Sequence, residues 1–101
     1  MTIFSFPSLT IETESIQIKG EAVQVVSFVG QITNTNAYEI NRNIASVFEG
    51  GIYQIILDLS KLEYINSIGV ATLIGIIKTA SSVENQNGKI RIGGLNHFWK
   101  M

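Results

Sequence analysis

Ser67 is the residue of this sequence whose surroundings most favour chemistry. It follows an apolar strand-like segment and a short turn, and it stands directly before an apolar run, Ile68 to Ala80, that contains no proline. Such a run is compatible with a helix, so we predict that Ser67 is the N-cap of that helix. Because the first N–H groups of a helix are unpaired and carry the positive end of its dipole, a phosphate on the Ser67 hydroxyl would meet a partly prepared anion site.

A serine before a helix is more often a cap and nothing else, which stabilises a helix by about 1 kcal/mol. The residues around Ser67 favour a further role. Asp58-Leu59-Ser60, followed by the run from Tyr64 to Leu73, resembles the signature of the STAS family, the anti-sigma factor antagonists and their relatives. In that family a strand ending in Asp-Leu-Ser leads to Asp-Ser-(Ser/Ala)-Gly-(Leu/Val)-Gly at the start of a helix, and the first serine of this motif is the phosphoacceptor.

The resemblance places Ser67 on the phosphoacceptor and Gly69 on the first glycine of the motif. The sequence departs from the motif at Asn66, where the family usually has aspartate, at Ile68, where it has serine or alanine, and at Ala71, where the second glycine would stand. Asn66 keeps the hydrogen-bonding shape of the usual aspartate and loses its charge.

Partner switching is the function that the resemblance implies. The unphosphorylated domain would bind an anti-sigma factor that is also a serine kinase of the GHKL type, phosphorylation of Ser67 would break the complex, and a phosphatase would reverse it. We predict the partner surface on the loop after the second strand, on the Ser67 loop and on the helix that follows. Its residues are Thr33, Asn34, Asn66, Ser67, Ile68, Gly69 and Thr72.

A STAS subunit that is never phosphorylated is the alternative. It would have a structural or regulatory role in a larger assembly, for instance beside a membrane transporter. The departures at Asn66 and Ile68 favour this alternative, because they fall on the phosphorylation loop itself.

Composition excludes several other classes of protein. Seven basic and eight acidic residues in a chain of 101 give a net charge of −1, with no basic cluster that would mark a nucleic-acid surface. Cysteine is absent, which removes thiol catalysis and thiolate metal sites. The first ten residues do not resemble a signal peptide, and the apolar run Ile68 to Ile77 is far shorter than the roughly 20 residues that span a bilayer. We expect a soluble cytoplasmic protein without direct membrane insertion.

The hydrophobic pattern predicts one α/β domain over residues 1–101, with a mixed sheet and the element order β-β-α-β-α-β. The first two strands form a hairpin through a tight turn at Lys19-Gly20-Glu21, and the second is buried on both faces. A helix begins with a cap at Asn34, Thr35 or Asn36 and ends at Gly50-Gly51, and Asn85 to Gly88 form a turn after the second helix. The predicted strands are Leu9–Ile18, Ala22–Val29, Ile52–Asp58 and Lys89–Ile92, and the second helix runs from Ser67 to about Val83. This element order is also that of the STAS fold.

The remaining candidates for chemistry are weaker. His97 has no potential metal ligand near it, Glu12 and Glu14 are expected on a solvated strand face, and Gly93-Gly94 lacks the pattern of a phosphate-binding loop. Asp58 stands at the carboxyl end of a predicted parallel strand, where α/β proteins bind ligands. No nucleophile, base and oxyanion group can be assembled, so we predict a binding protein with no catalytic residues, cofactor or metal.

The resemblance to the STAS family runs from about Thr10 to the C-terminus. The last residues, Gly93 to Met101, enter a helix that the family normally continues. Phe98, Trp99 and Met101 then have little chain to cover them, so we predict that this segment favours a homodimer.

Overall fold

The protein is described by a computed structural model for residues 1–48, 52, 54–84 and 89–93. For residues 81–84 and 89–92 the backbone alone is described. The predictions made for Gly50-Gly51, for the turn at 85–88, for Gly94 and His97, and for the C-terminal segment to Met101 lie outside these residues.

A six-stranded mixed sheet forms the centre of the molecule, in the strand order β1-β2-β3-β4-β6, with β5 paired to β3 beyond the end of β4. The strands β1, β2 and β3 pair antiparallel, whereas β3 pairs parallel with β4 and β5, and β4 pairs parallel with β6. The elements are β1 Thr2–Phe6, β2 Leu9–Ile18, β3 Glu21–Ile32, α1 Ala37–Asn43, a 3₁₀ helix Ile44–Val47, β4 Gln54–Asp58, β5 Leu62–Ile65, α2 Ser67–Glu84 and β6 Lys89–Gly93. The mixed α/β fold predicted from the sequence is confirmed.

Two tight turns set the antiparallel part of the sheet. Lys19 and Gly20 both have positive φ angles, 51° and 82°, which is the type I′ geometry that matches the twist of a hairpin. The predicted turn is therefore confirmed. The second turn, Pro7-Ser8, joins β1 to β2, and neither this turn nor β1 was predicted from the sequence.

The second predicted strand differs from the observed β3 in length and in burial. β3 continues past Val29 to Ile32, and its pairing with β5 shifts register between Gly30 and Gln31. Gly30 has φ +121°, and a side chain there would meet the backbone of Ser8, so only glycine allows this irregularity. The predicted end of this strand at Val29 is therefore wrong.

The helices pack on one face of the sheet, and the main core lies between the helices and that face. Val26 and Phe28 of β3 are fully buried on that face. On the other face Val23 is buried, but Val25 and Val29 are only partly buried. The prediction that this strand is buried on both faces is therefore wrong. The core residues of the cluster are Leu9, Ile11, Val26, Phe28, Ile32, Ile40, Ile44, Val47, Phe48, Ile55, Leu57, Leu59, Leu62, Ile76 and Ala80.

The first helix is shorter than the sequence predicted. It ends at Asn43 and continues as the 3₁₀ helix. The Asn43 side chain donates to the Glu39 carbonyl at 2.8 Å, and the Ser46 hydroxyl donates to the Asn43 carbonyl at 2.6 Å. Such side chains compete for backbone groups and weaken regular α-helix, which accounts for the change. Gln24, fully buried in β3, donates to the Val47 carbonyl at 2.7 Å and so holds the 3₁₀ helix against the sheet.

Candidate functional site

The start of α2 is capped by Asn66. Its Oδ1 accepts a hydrogen bond from the Gly69 N–H at 2.8 Å, and its carbonyl accepts the first helical bond from Val70 at 2.9 Å. Ser67 is the first residue of α2 and its side chain is exposed. The prediction that Ser67 is the cap is therefore wrong by one residue. The reason is that asparagine, like aspartate, caps at least as well as serine, and both put an oxygen in reach of the third helical N–H. The Ser67 hydroxyl is thus not needed to cap the helix.

Gly69 lets α2 approach the end of β3. It is buried, and a side chain at this position would collide with the Ile32 carbonyl oxygen and would lie 2.7 Å from Cγ1 of Ile65. Gly75, two turns later, differs, because a side chain there would meet only Oδ1 of Asn41 at 3.6 Å. Gly69, the glycine of the signature, is therefore required by packing. It lets the first turn of α2, which contains Ser67, lie close to the end of β3.

The pairing of β3 with β5 brings the two loops of the candidate site together. Gln31 pairs with Tyr64 and Ile32 with Ile65, so the loop that leaves β3 lies beside the loop that leaves β5. The Asn66 side chain donates to Oδ1 of Asn34 at 3.3 Å across this junction. The short strand β5 was missed because its four residues fall inside a segment interpreted as a turn.

The loop that leaves β3 is held by Asn36, which is fully buried. Its Nδ2 donates to the Pro7 carbonyl at 2.6 Å and to the Gln31 carbonyl at 2.8 Å, while its Oδ1 accepts from the Thr33 N–H at 3.1 Å. Asn36 occupies the position before α1 but makes no side-chain cap to that helix. The structure thus gives it a different role from the capping that we predicted for Asn34, Thr35 or Asn36. Its three bonds join the β1–β2 turn, the end of β3 and the loop.

The residues predicted to contact a partner fall into two groups. Asn34, Ser67 and Ile68 are exposed, and Asn66 is partly buried. Thr33, Gly69 and Thr72 are buried and have internal roles. The Thr72 hydroxyl, for example, donates to the Ile68 carbonyl at 2.9 Å, and the Thr33 hydroxyl accepts from the Thr35 N–H at 3.2 Å.

The exposed side of α2 is more apolar than a solvated helix face. Ile68, Val70 and Ile74 are each about half exposed, at 49%, 47% and 50%, and Ala71 lies between them. Since residues at spacings of three and four share one helix face, Val70 and Ile74 extend from Ser67 along a single stripe. The predicted partner surface includes the exposed side of this helix, but Val70 and Ile74 were not among the predicted contact residues. The signal was present, because the helix is apolar on all sides and one side cannot be in the core.

Asp58 has a local role at the same end of the sheet. Its Oδ1 accepts from the Ser60 N–H at 2.9 Å, which forms the turn between β4 and β5, and Leu59 is fully buried in the core. The Asp-Leu-Ser part of the signature is thus explained by turn formation and packing. In the described part of the chain no group of three or more His, Cys, Asp or Glu side chains could hold a metal ion. None of its helices is long and apolar enough to cross a membrane.

Comparison with known proteins places this geometry in a family. The STAS domain model matches residues 15–97. The structure resembles the STAS domain of an antisigma-factor antagonist from Rhodobacter sphaeroides, with a TM-score of 0.58 and 18% identity over 85% of this chain and 88% of that one. An anti-sigma factor antagonist from Mycobacterium paratuberculosis is 28% identical, with a TM-score of 0.48 over 67% of this chain and 56% of that one. The murine Solute Carrier 26 family member A9 anion transporter matches with a TM-score of 0.51 and 16% identity over 69% of this chain and 11% of that one. No curated protein sequence matches significantly.

Proposed function

This chain belongs to the STAS domain family, and from that premise we propose that it is a partner-switching protein of the anti-sigma factor antagonist type. It binds an anti-sigma factor that is a serine kinase, and phosphorylation of Ser67 ends the complex. In this proposal the protein is a cytoplasmic binding module and a kinase substrate rather than an enzyme, and a phosphatase restores the binding form. The observation that supports the proposal most is that Ser67 is an exposed hydroxyl in the first turn of α2 while Asn66, not Ser67, caps the helix.

Because Asn66 caps the helix, the Ser67 hydroxyl is available for phosphorylation. A capping serine has its oxygen engaged with a backbone N–H, whereas here that N–H is already bound by Asn66. The neutral Asn66 side chain also leaves the positive end of the helix dipole without a compensating carboxylate. A phosphate on Ser67 would therefore be stabilised there rather than repelled.

The apolar stripe of Val70 and Ile74, with Ile68 beside it, is the surface that we assign to the partner. Phosphorylation adds about −1.5 to −2 charges at neutral pH, and enclosing such a group without a counter-charge costs several kcal/mol. Since about 1.4 kcal/mol corresponds to a ten-fold change in affinity, a loss of about two or three decades is expected. A protein of similar structure that is named as an antisigma-factor antagonist supports this choice of partner.

Phosphorylation is tested by incubating the protein with a GHKL-type anti-sigma factor kinase from the same genome and ATP, followed by intact-mass analysis. The wild type should gain one phosphate, and the Ser67→Ala variant none. Ser60→Ala is the matched control, since Ser60 is also exposed and lies in a turn at the same end of the sheet, and it should be modified like the wild type. Phosphate on Ser60 or Thr72 in place of Ser67 would contradict the proposal.

The alternative, a STAS subunit that is not phosphorylated and serves a larger assembly, is favoured by the resemblance of the fold to part of a transporter. The two functions differ in their response to charge at Ser67. In the leading proposal Ser67→Asp weakens binding of the kinase by about ten-fold or more, with unchanged circular dichroism. Equal binding by wild type and Ser67→Asp, together with no mass gain, would favour the alternative.

A further inference from the structure

Two edge strands of the sheet differ in charge. Within the described part of the chain, β5 and β1 each pair with a neighbouring strand on one side only. β5 contains the exposed Glu63, whereas β1 has the uncharged sequence Thr-Ile-Phe-Ser-Phe. Charged residues on edge strands are a common protection against pairing with another chain. By this criterion β1 is open to pairing.

The register determines which backbone groups of β1 face away from the sheet. The Lys19-Gly20 hairpin closes at the pair Ile18–Glu21, so even-numbered residues of β2 bond to β3 and odd-numbered residues face β1. Residues 2, 4 and 6 of β1 therefore bond to Thr13, Ile11 and Leu9 of β2. The N–H and C=O groups of Ile3 and Ser5 are directed to the free edge.

We propose that β1 pairs antiparallel with β1 of a second copy of this chain, with the two-fold axis at Phe4. Ile3 then pairs with the partner's Ser5, and Ser5 with the partner's Ile3. Each pair exchanges two backbone hydrogen bonds, so all the outward N–H and C=O groups of Ile3 and Ser5 are used. The sheet becomes continuous through both copies.

A second copy fits this edge better than a strand of unrelated sequence for two reasons. An uncharged strand brings no like charges into contact when it pairs with itself, which a charged edge would do. The axis also places Phe4 opposite the partner's Phe4 at a position without hydrogen bonds, where side chains are closest. Phe4 is partly buried against the core on the helix side, so the aromatic pair would cover apolar surface that the single copy leaves open.

The strand has only five residues, so the dimer is expected to be reversible and concentration-dependent. This inference does not rest on Ser67 or on its phosphorylation. A dimer formed through β1 also differs from one formed through the C-terminal segment, because its contacts are made by residues 2–6.

Disulfide formation tests the symmetry directly, because the chain has no cysteine of its own. A Phe4→Cys variant should form a covalent dimer under mild oxidation, since directly opposed residues of antiparallel strands lie within the range that a disulfide spans. Ile3→Cys is the matched control. Its symmetry mate would be offset by two residues along the strand, at roughly 8 Å between Cα atoms, which exceeds the limit of about 7 Å. Equal cross-linking of the two variants would overturn the proposal.

A second pair of variants tests the hydrogen bonds without removing apolar surface. Ser5→Pro removes an N–H that faces the free edge and leaves the bonds of β1 to β2 in place, as is usual for proline on edge strands. It should raise the dissociation constant of the dimer by about ten-fold or more, whereas Ser5→Ala should leave it unchanged. Analytical ultracentrifugation measures both, with circular dichroism as the control for folding.

Amide exchange followed by NMR provides a test on the wild-type chain. The Ile3 and Ser5 amides should become protected as the protein concentration rises, while the Phe4 and Phe6 amides, bonded to β2, should be protected at all concentrations. A wild type that stays monomeric at millimolar concentration, or a dimer in which Ile3 and Ser5 exchange freely, would show that β1 does not form the contact.

Discussion

The starts of the two helices can be compared because each follows a strand and each is preceded by asparagine. Asn36, before α1, is fully buried and its side chain bonds to three segments of backbone, none of them in the helix. Asn66, before α2, is only partly buried and its side chain caps the helix. An asparagine before a helix thus joins buried backbone segments in one case and caps a helix beside an exposed serine in the other. The difference arises because the β1–β2 turn lies against the first asparagine, whereas Ser67 and solvent lie beside the second.

The largest effect is expected at Gly69, where α2 contacts the end of β3. Gly69→Ala should lower the free energy of unfolding by about 2–4 kcal/mol, because the added methyl group collides with the Ile32 backbone, which cannot move aside without disturbing β3. Gly75→Ala is the control, and it should be neutral or stabilising by up to about 1 kcal/mol. Alanine favours the helix, and the added methyl group would be in ordinary van der Waals contact with Oδ1 of Asn41. Urea denaturation measures both, and an equal effect of the two substitutions would contradict the close approach at Gly69.

The next effect concerns Asn36. Asn36→Ala should cost about 2–4 kcal/mol, because it leaves the Pro7 and Gln31 carbonyls and the Thr33 N–H without their partner in a buried position. Asn36→Asp should not restore stability at neutral pH, since a carboxylate would oppose the two carbonyl oxygens. Thermal unfolding by circular dichroism measures both. A loss below about 0.5 kcal/mol would show that water replaces these bonds and that Asn36 is not the residue that holds the loop.

A smaller effect is expected at Asn66, where the lost cap is at the surface. Asn66→Ala should cost about 1 kcal/mol, whereas Asn66→Asp should keep full stability, since aspartate caps as well and its charge favours the helix N-terminus. The two positions should therefore differ in their response to aspartate, which should preserve the free energy of unfolding at position 66 and lower it at position 36. Denaturant titration of the four variants tests it in one series.

The smallest effect on stability is expected at Ser67 itself. Because Asn66 provides the cap, Ser67→Ala should change the free energy of unfolding by less than about 0.5 kcal/mol. A loss of about 1 kcal/mol, the usual value for a capping serine, would mean that Ser67 caps the helix after all. The same substitution should abolish phosphorylation. Ser67→Ala should therefore remove the modification while leaving the free energy of unfolding nearly unchanged.

The sequence predicted the main strands and the second helix because these depend on local patterns. The apolar run after Asn66 favours a helix in any context, and Lys19-Gly20 favours a tight turn whatever surrounds it. The elements that were missed or misjudged depend on distant residues. β1 and β5 are short strands whose existence depends on pairing with β2 and β3, and the end of β3 depends on the register shift at Gly30.

The amino-acid sequence by itself therefore determined the α/β class, the family resemblance and the candidate serine, since composition, periodicity and a contiguous motif carry that information. Only the tertiary structure decided which asparagine caps a helix and which holds a loop, and which predicted contact residues are buried. It also showed that the uncharged strand β1 lies at an edge of the sheet. The physical reason is that burial, hydrogen-bond partners and strand order depend on segments far apart in the chain, such as Pro7 and Asn36, which come together only when the sheet has formed.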